Sequence, residues 1–290
     1  MDETVIGPPE NHRGREGGLL VYPVYSRRSG GLSLGINLFP DDKVCSFNCP
    51  YCEVFPFRTG FRFSTGAMET QLEEAIRGAR GRALPVRDIC FSGNGEPTMS
   101  PHFGEALEAA ARIRDAADPG VALVLITNGT GLLDDRLFDL LRRAAGGRPG
   151  LCIWLKLDAG TKNWYAQMNR SGIPFDILIN RIRLFVDRAP VTIQTMLCAV
   201  EGRGPSPEEA LAWEGLLGEL ARLGDGRNTG VRRVHIYGKA RPAPEDPLAE
   251  ALPPASLEAR AASLRKALAA PPPSGPGLPP RDPVPVEVFN

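Results

Sequence analysis

Six short β-rich runs separated by helical patterns are the feature that most narrows what this chain can fold into. The runs fall near residues 33–39, 87–92, 121–127, 151–157, 191–198 and 231–237, with helical patterns near 67–81, 102–117, 133–145, 174–188 and 206–223 between them. Alternation of strand and helix predicts a parallel α/β sheet or barrel. Local signals agree, since Ser206-Pro207-Glu208-Glu209 reads as a helix start and Gly224 as a stop. A chain of 290 residues is long enough for one α/β barrel. Six strand-and-helix units make an incomplete one, so the expected fold is a partial (β/α)6 TIM-like barrel.

Successive side chains of a strand point to opposite faces, and here the two faces differ in kind. One carries Leu34, Ile36, Leu38, Ile89, Phe91, Ile153, Leu155, Leu157, Val191, Ile193, Leu197, Val234 and Ile236, suited to packing under outer helices. The other carries Asn37, Asp88, Cys90, Ser92, Trp154, Lys156, Asp158, Gln194, Met196, Arg233, His235 and Tyr237. A closed barrel fills its centre with branched apolar side chains. A polar inner face therefore predicts a cavity, and sites in such folds gather at the C-terminal ends of the strands.

The densest chemistry sits after the first run, in Cys45-Ser46-Phe47-Asn48-Cys49-Pro50-Tyr51-Cys52. Three thiolates in one loop can hold three irons of a four-iron cluster and leave the fourth open, whereas electron-carrying clusters generally have a full set of four. Zinc also takes thiolates, but structural zinc needs four ligands, commonly in two separated pairs, and the sequence offers no second pair. No secretory segment opens the chain, so a disulfide framework is not expected and the predicted compartment is the cytoplasm. Cys90, Cys152 and Cys198 are spread over three runs without paired spacing and read as small buried hydrophobes.

The spacing of the three cysteines resembles the signature of the radical S-adenosylmethionine (SAM) superfamily. Ser26-Arg27-Arg28, Ser33-Leu34-Gly35-Ile36-Asn37-Leu38, Cys52-Glu53, Ser92-Gly93-Asn94-Gly95-Glu96-Pro97-Thr98, Thr127-Asn128-Gly129 and Lys156-Leu157-Asp158-Ala159 follow in the order of one branch, the radical proteins similar to the wyosine-forming tRNA enzyme. The resemblance implies a [4Fe-4S] cluster on Cys45, Cys49 and Cys52, with the amine and carboxylate of SAM on the fourth iron. It implies cofactor contacts from Tyr51, beside the adenine, and from the turn Gly93, Asn94, Gly95 and Glu96, near the methionyl ammonium. Asn128 and Asp158 are candidates for the ribose hydroxyls, with a helix cap or turn the alternative for Asn128. Asn94 stands where many superfamily members have glycine, and Gly31 where the branch often has arginine, which weakens an anion site at that position.

Several residues stay open at this level. Lys156 shares a strand face with Asp158, and is either half of a buried ion pair or an amine that reaches substrate. Arg27, Arg28, Arg58 and Arg62 suit phosphate or carboxylate groups, or simply solvent. His235 and Tyr237 are either cavity-lining or core. The expected organisation is an N-terminal extension (1–32), the barrel (33–250), a C-terminal helix (251–270) placed to cap the barrel, and a Pro-rich tail (271–290).

Charge bears on the substrate. Lys plus Arg equal Asp plus Glu at 34 each, so no overall basic field indicates nucleic acid, and no apolar run approaches the ~20 residues of a membrane span. A radical SAM enzyme acting on a small metabolite or peptide fits this balance, with a reducing partner such as flavodoxin or ferredoxin. The alternatives are a tRNA-modifying enzyme of wyosine type and a noncatalytic iron-sulfur or SAM-binding regulatory protein.

Overall fold

The computed structural model of the chain describes residues 19–226, 228–269 and 282–289. Its elements run β1 (Val21–Ser26), β2 (Gly31–Ile36), α1 (Thr65–Gly81), β3 (Val86–Phe91), α2 (Phe103–Ala117), β4 (Ala122–Thr127), α3 (Asp135–Gly146), β5 (Leu151–Lys156), α4 (Lys162–Met168), α5 (Phe175–Val186), β6 (Pro190–Val200), α6 (Pro207–Leu220), β7 (Gly230–Gly238), β8 (Ala249–Ala251), α7 (Pro254–Ala269) and β9 (Val286–Phe289). Strands β2 to β7 lie side by side in chain order and are parallel throughout. These are the six predicted runs, and they curl into the half-barrel of an α/β fold with helices outside.

The outer face of the sheet behaves as the alternation predicts. Leu34, Ile36, Ile89, Phe91, Leu155, Ile193, Val234 and Ile236 are buried, in one core with Met68 and Leu72 of α1, Phe103 of α2, Leu141 of α3 and Phe185 of α5. Helix starts follow the side-chain capping rule. Ser64, Asp134, Thr161 and Ser206 each accept hydrogen bonds from the first turn of the helix they precede. Gly224, the predicted stop, has φ +75°.

Both edges of the parallel sheet are covered. β1 pairs antiparallel with β2, Val21 opposite Ile36, and β9 pairs parallel with β7, Val234 opposite Val286. β1 lies within the segment expected as an extension and β9 within the Pro-rich tail; residues 1–18, 271–281 and 290 of those segments, and residue 270 of the expected C-terminal helix, lie outside the described residues. β8 adds antiparallel to the end of β6. Helix α7 packs along the outside against β7, β9 and α6, so it is a member of the outer layer and not a cap over one end. No helix among the described residues is long and apolar enough to cross a membrane.

An open strand edge is a template for pairing with other chains. Deleting residues 282–290 removes β9 and bares β7, and is expected to lower the thermal midpoint and to cause concentration-dependent association in light scattering. An unchanged midpoint with a monodisperse product would show that β9 contributes nothing to the fold.

Candidate active site

The cysteines lie in the long connection between β2 and α1, beyond the C-terminal end of β2. The start of this connection is stitched to the turn after β3. Val44 and Gly95 form an isolated parallel bridge, in which the Val44 N–H donates to Asn94 O (3.2 Å) and the Glu96 N–H donates to Val44 O (2.8 Å). Backbone approach this close needs glycine: a Cβ at Gly95 would collide with the Val44 carbonyl, and Gly93 has φ +120°.

Glu96 holds this corner together. It is buried, and one carboxylate oxygen accepts hydrogen bonds from the Thr98 N–H (3.2 Å), the Thr98 hydroxyl (2.7 Å) and the Thr127 hydroxyl (2.7 Å). The other accepts from the Asn128 N–H at 2.7 Å. Burial raises the Glu96 pKa, against the lowering effect of these donors. The Asn128 side chain donates to Ser46 Oγ (3.0 Å) and lies 3.6 Å from Cys45 Sγ. Strand ends β3 and β4 thus grip the cysteine loop through one carboxylate and one amide.

A second carboxylate grips its other end. Asp158 follows β5 and is buried, accepting from the Tyr51 hydroxyl, from Asn169 Nδ2 (3.0 Å) and from the Met196 N–H (2.9 Å). Lys156 Nζ stands 3.4 Å from the same carboxylate and donates to the Tyr237 hydroxyl at 2.6 Å, with Tyr51 and Tyr237 rings 5.0 and 5.3 Å away. Burial works to lower the Lys156 pKa, but Asp158, Tyr237 and Cys49 outweigh it and hold the pKa above its ordinary value. Lys156 is therefore an ammonium ion within a buried pair.

These groups surround a cavity of about 290 Å³. Cys45, Cys49, Tyr51, Cys52, Gly93, Gly95, Glu96 and Asn128 border it, together with Arg27, Arg28, Lys156 and Tyr237. Asn94 and Asp158 do not: the Asn94 side chain donates to Phe39 O (3.3 Å) and its N–H to Asn37 Oδ1 (3.2 Å), and Asp158 stands behind Tyr51. His235 is buried beside Gln194, with Glu287 3.2 Å from Nε2; burial and the nearby Arg28 and Arg233 push its pKa down to about 3. Arg58 is on the surface beside Asp42 (3.4 Å), and Arg62 is exposed. Sequence reasoning did not single out Asn169, which holds Asp158 and lies 3.8 Å from Cys49 Sγ; no motif marks it.

Among the described residues no three His, Cys, Asp or Glu side chains converge on a point that would hold a single metal ion. A cluster asks for something else, one thiolate per iron, and three thiols facing one cavity fit that demand better than mononuclear zinc. Burial pushes the Cys45 thiol up to about 11 and the Cys49 thiol up to about 12. Metal binding is what brings such thiols to thiolate, since ligands must lose their protons.

Comparison with known proteins gives the class. The radical SAM superfamily profile matches residues 43–211, and the chain belongs to that superfamily, whose cofactors are a [4Fe-4S] cluster and SAM. It is 31% identical over 121 residues to a UPF0026 protein of Helicobacter pylori (strain ATCC 700392 / 26695), covering 41% of this chain and 38% of that one. To the UPF0026 protein slr1464 of Synechocystis sp. it is 30% identical over 181 residues, 60% of this chain and 63% of that one. The chain thus spans less than two thirds of these curated relatives. Among solved structures it is similar to a radical SAM methyltransferase from Sphaerobacter thermophilus (TM-score 0.61, 17% identity, 92% of this chain and 68% of that one). It is also similar to Streptococcus suis SuiB bound to S-adenosylmethionine (TM-score 0.54, 13% identity, 77% and 45%) and to TYW1 with a lysine-pyruvate adduct bound (TM-score 0.53, 15% identity, 81% and 73%). At these identities the structural matches speak to the fold alone.

Glu96→Gln sets an amide NH₂ against buried donors and leaves at least one unsatisfied, at a cost of about 1–3 kcal/mol. A lower thermal midpoint and weaker retention of iron are expected. A variant with wild-type midpoint and iron content would show that the carboxylate does not secure the cysteine loop.

Proposed function

We propose that this chain is a radical SAM enzyme whose Cys45, Cys49 and Cys52 hold a [4Fe-4S] cluster and whose substrate is a small metabolite or peptide. The observation that carries the reading is three cysteines on one face of a cavity whose neighbouring wall is the Gly93–Glu96 turn. The cluster on Cys45, Cys49 and Cys52, together with SAM, would supply reductive radical chemistry for hydrogen abstraction, which belongs to the cofactors while the protein orients and shields them.

The chain's own residues divide that work. Gly93, Gly95 and Glu96 offer a narrow wall against which a ligand ammonium can rest, Tyr51 presents a ring in the cysteine loop, and Asn128 borders the cavity at the end of β4. Asn94 and Asp158 act from behind, by fixing Phe39 and Tyr51. A reducing partner, a flavodoxin or ferredoxin, would approach the outer side of the loop, where Cys49 and Cys52 border a second groove with Lys43, Phe57 and Arg58. The whole-chain charge balance favours a small substrate over tRNA.

After anaerobic reconstitution with iron and sulfide, reduced wild-type protein is expected to convert SAM to 5′-deoxyadenosine, measured by chromatography, and Cys49→Ala is expected to lose both cluster absorbance and product. Failure of a cluster-loaded protein to bind SAM would sink the reading.

Lys156 bears on a narrower point. The TYW1 structure carries a lysine-pyruvate adduct, and imine formation needs a neutral amine, whereas Asp158 keeps Lys156 charged. Incubation with pyruvate and cyanoborohydride should leave Lys156 unmodified in peptide mass spectra; an adduct there would overturn its assignment as the counter-ion of Asp158.

A further inference from the structure

The cavity reaches well below the cysteine loop. Arg28 belongs to the tight turn between β1 and β2, at the N-terminal end of the parallel strands, whereas the cysteines follow the C-terminal end of β2. Six residues of strand separate the two, roughly 15–20 Å along the sheet. Both nevertheless border the same cavity, so the Arg28 side chain enters the barrel from the far end.

Once inside, it is held by its sides. Arg28 Nη1 donates to Gln194 Oε1 at 2.9 Å, and the guanidinium carbon lies 5.6 Å from the Trp154 ring and 5.0 Å from the Tyr237 ring. Gln194 is wholly buried and is itself placed by His235 Nδ1, 3.3 Å from its amide nitrogen. A guanidinium has five N–H donors in a rigid fork. One of them goes to Gln194, and the stacking rings take none.

The carboxylates nearby are already occupied. Glu96 accepts from Thr98, Thr127 and Asn128, Glu53 pairs with Arg241 at 3.1 Å, and Asp158 faces Lys156. Asp88, whose pKa senses Arg28, accepts from Ser33. No carboxylate among the described residues lies within ion-pair distance of Arg28. A half-buried cation with ring faces beside it and donors unspent is built for a planar or tetrahedral oxyanion, which Arg takes in bidentate fashion.

We infer that Arg28 is a substrate-recognition residue that binds a carboxylate or phosphate group of the molecule acted upon. On the proposed function, on which the inference rests for calling the ligand a substrate, SAM would be held by the cysteine loop and the Gly93–Glu96 turn, and the anion at Arg28 is a separate group. Gln194, Trp154 and Tyr237 are positioning residues that present the guanidinium to it.

The test uses full-length, cluster-loaded protein with SAM bound, titrated calorimetrically with inorganic phosphate and with propionate. At least one is expected to bind, and the stronger identifies the chemistry; Arg28→Gln should weaken it by about tenfold or more while changing SAM affinity by less than about twofold. Binding of neither anion, equal affinity in the variant, or an equal loss of SAM affinity overturns the inference. If Arg28→Gln does not fold, phenylglyoxal labelling of wild-type Arg28, followed by mass spectrometry, replaces it: slower labelling with the anion supports the site and an unchanged rate rejects it. Arg28-dependent anion binding in a protein that forms no 5′-deoxyadenosine would leave the anion site standing and count against the radical reading.

Discussion

One buried carboxylate, Asp158, is the interaction on which the rest of the site depends. It takes the Tyr51 hydroxyl from the cysteine loop, the Asn169 amide from the end of α4, the Met196 N–H from β6 and the Lys156 ammonium from β5. A charge this deep would be costly alone, and each of its partners is what makes it tolerable. The dependence runs in both directions. Removing the carboxylate would strand a lysine and release the tyrosine that sits between the second and third cysteines, which is why buried networks are rigid when complete and fragile when not.

Glu96 plays the matching part at the other end of the cysteine loop, and the two carboxylates use different means. Asp158 is neutralised by a lysine, whereas Glu96 is surrounded by hydroxyl and backbone donors and has no cation within ion-pair reach among the described residues. Both stand at C-terminal strand ends, where the fold collects its chemistry. Between them the loop is fixed at Val44 by backbone pairing with Gly95 and at Tyr51 by a side chain. The segments flanking Cys45 and Cys49 are thereby fixed by the protein's own contacts, a form of preorganisation that spares ordering cost on binding.

How much of this the sequence discloses depends on the range of the interaction. The six parallel strands were legible because strand periodicity is a local property, and the outer-face residues such as Leu34, Phe91 and Ile193 are buried as their spacing says. The cysteine loop and the glycine turn were legible as motifs. The edge strand β9 was hidden because its segment follows a proline-rich stretch, and its partner β7 lies about fifty residues earlier, with Val286 opposite Val234. The pairing of Lys156 with Asp158 was visible as a spacing of two, but the direction of its pKa was not, because Tyr237 and Cys49 reach it only through the fold. Arg28 was legible as part of the Ser26-Arg27-Arg28 motif, with an anion or solvent left open as its partner. Only the antiparallel turn of β1 onto β2 sends it into the barrel while Arg58 stays outside with Asp42.

Inside the cavity the cations differ in how they are paired. Near the cysteines Lys156 is paired with Asp158 and Arg241 with Glu53, while Arg27 and Lys43 also border the cavity. Beside the same Tyr237 ring as Lys156, Arg28 stands against ring faces and a neutral amide, with His235 next to that amide kept uncharged by burial. A neutral chain can thus keep a local positive pole inside a low-dielectric cavity, where one charge acts more strongly than on the surface. Overall charge balance argues against an extended polyanion wrapping the outside, and says nothing against a small anion drawn to this pole. The two observations are compatible because they concern different length scales: nucleic acid reads the surface, whereas a small anion would meet a single guanidinium inside the cavity.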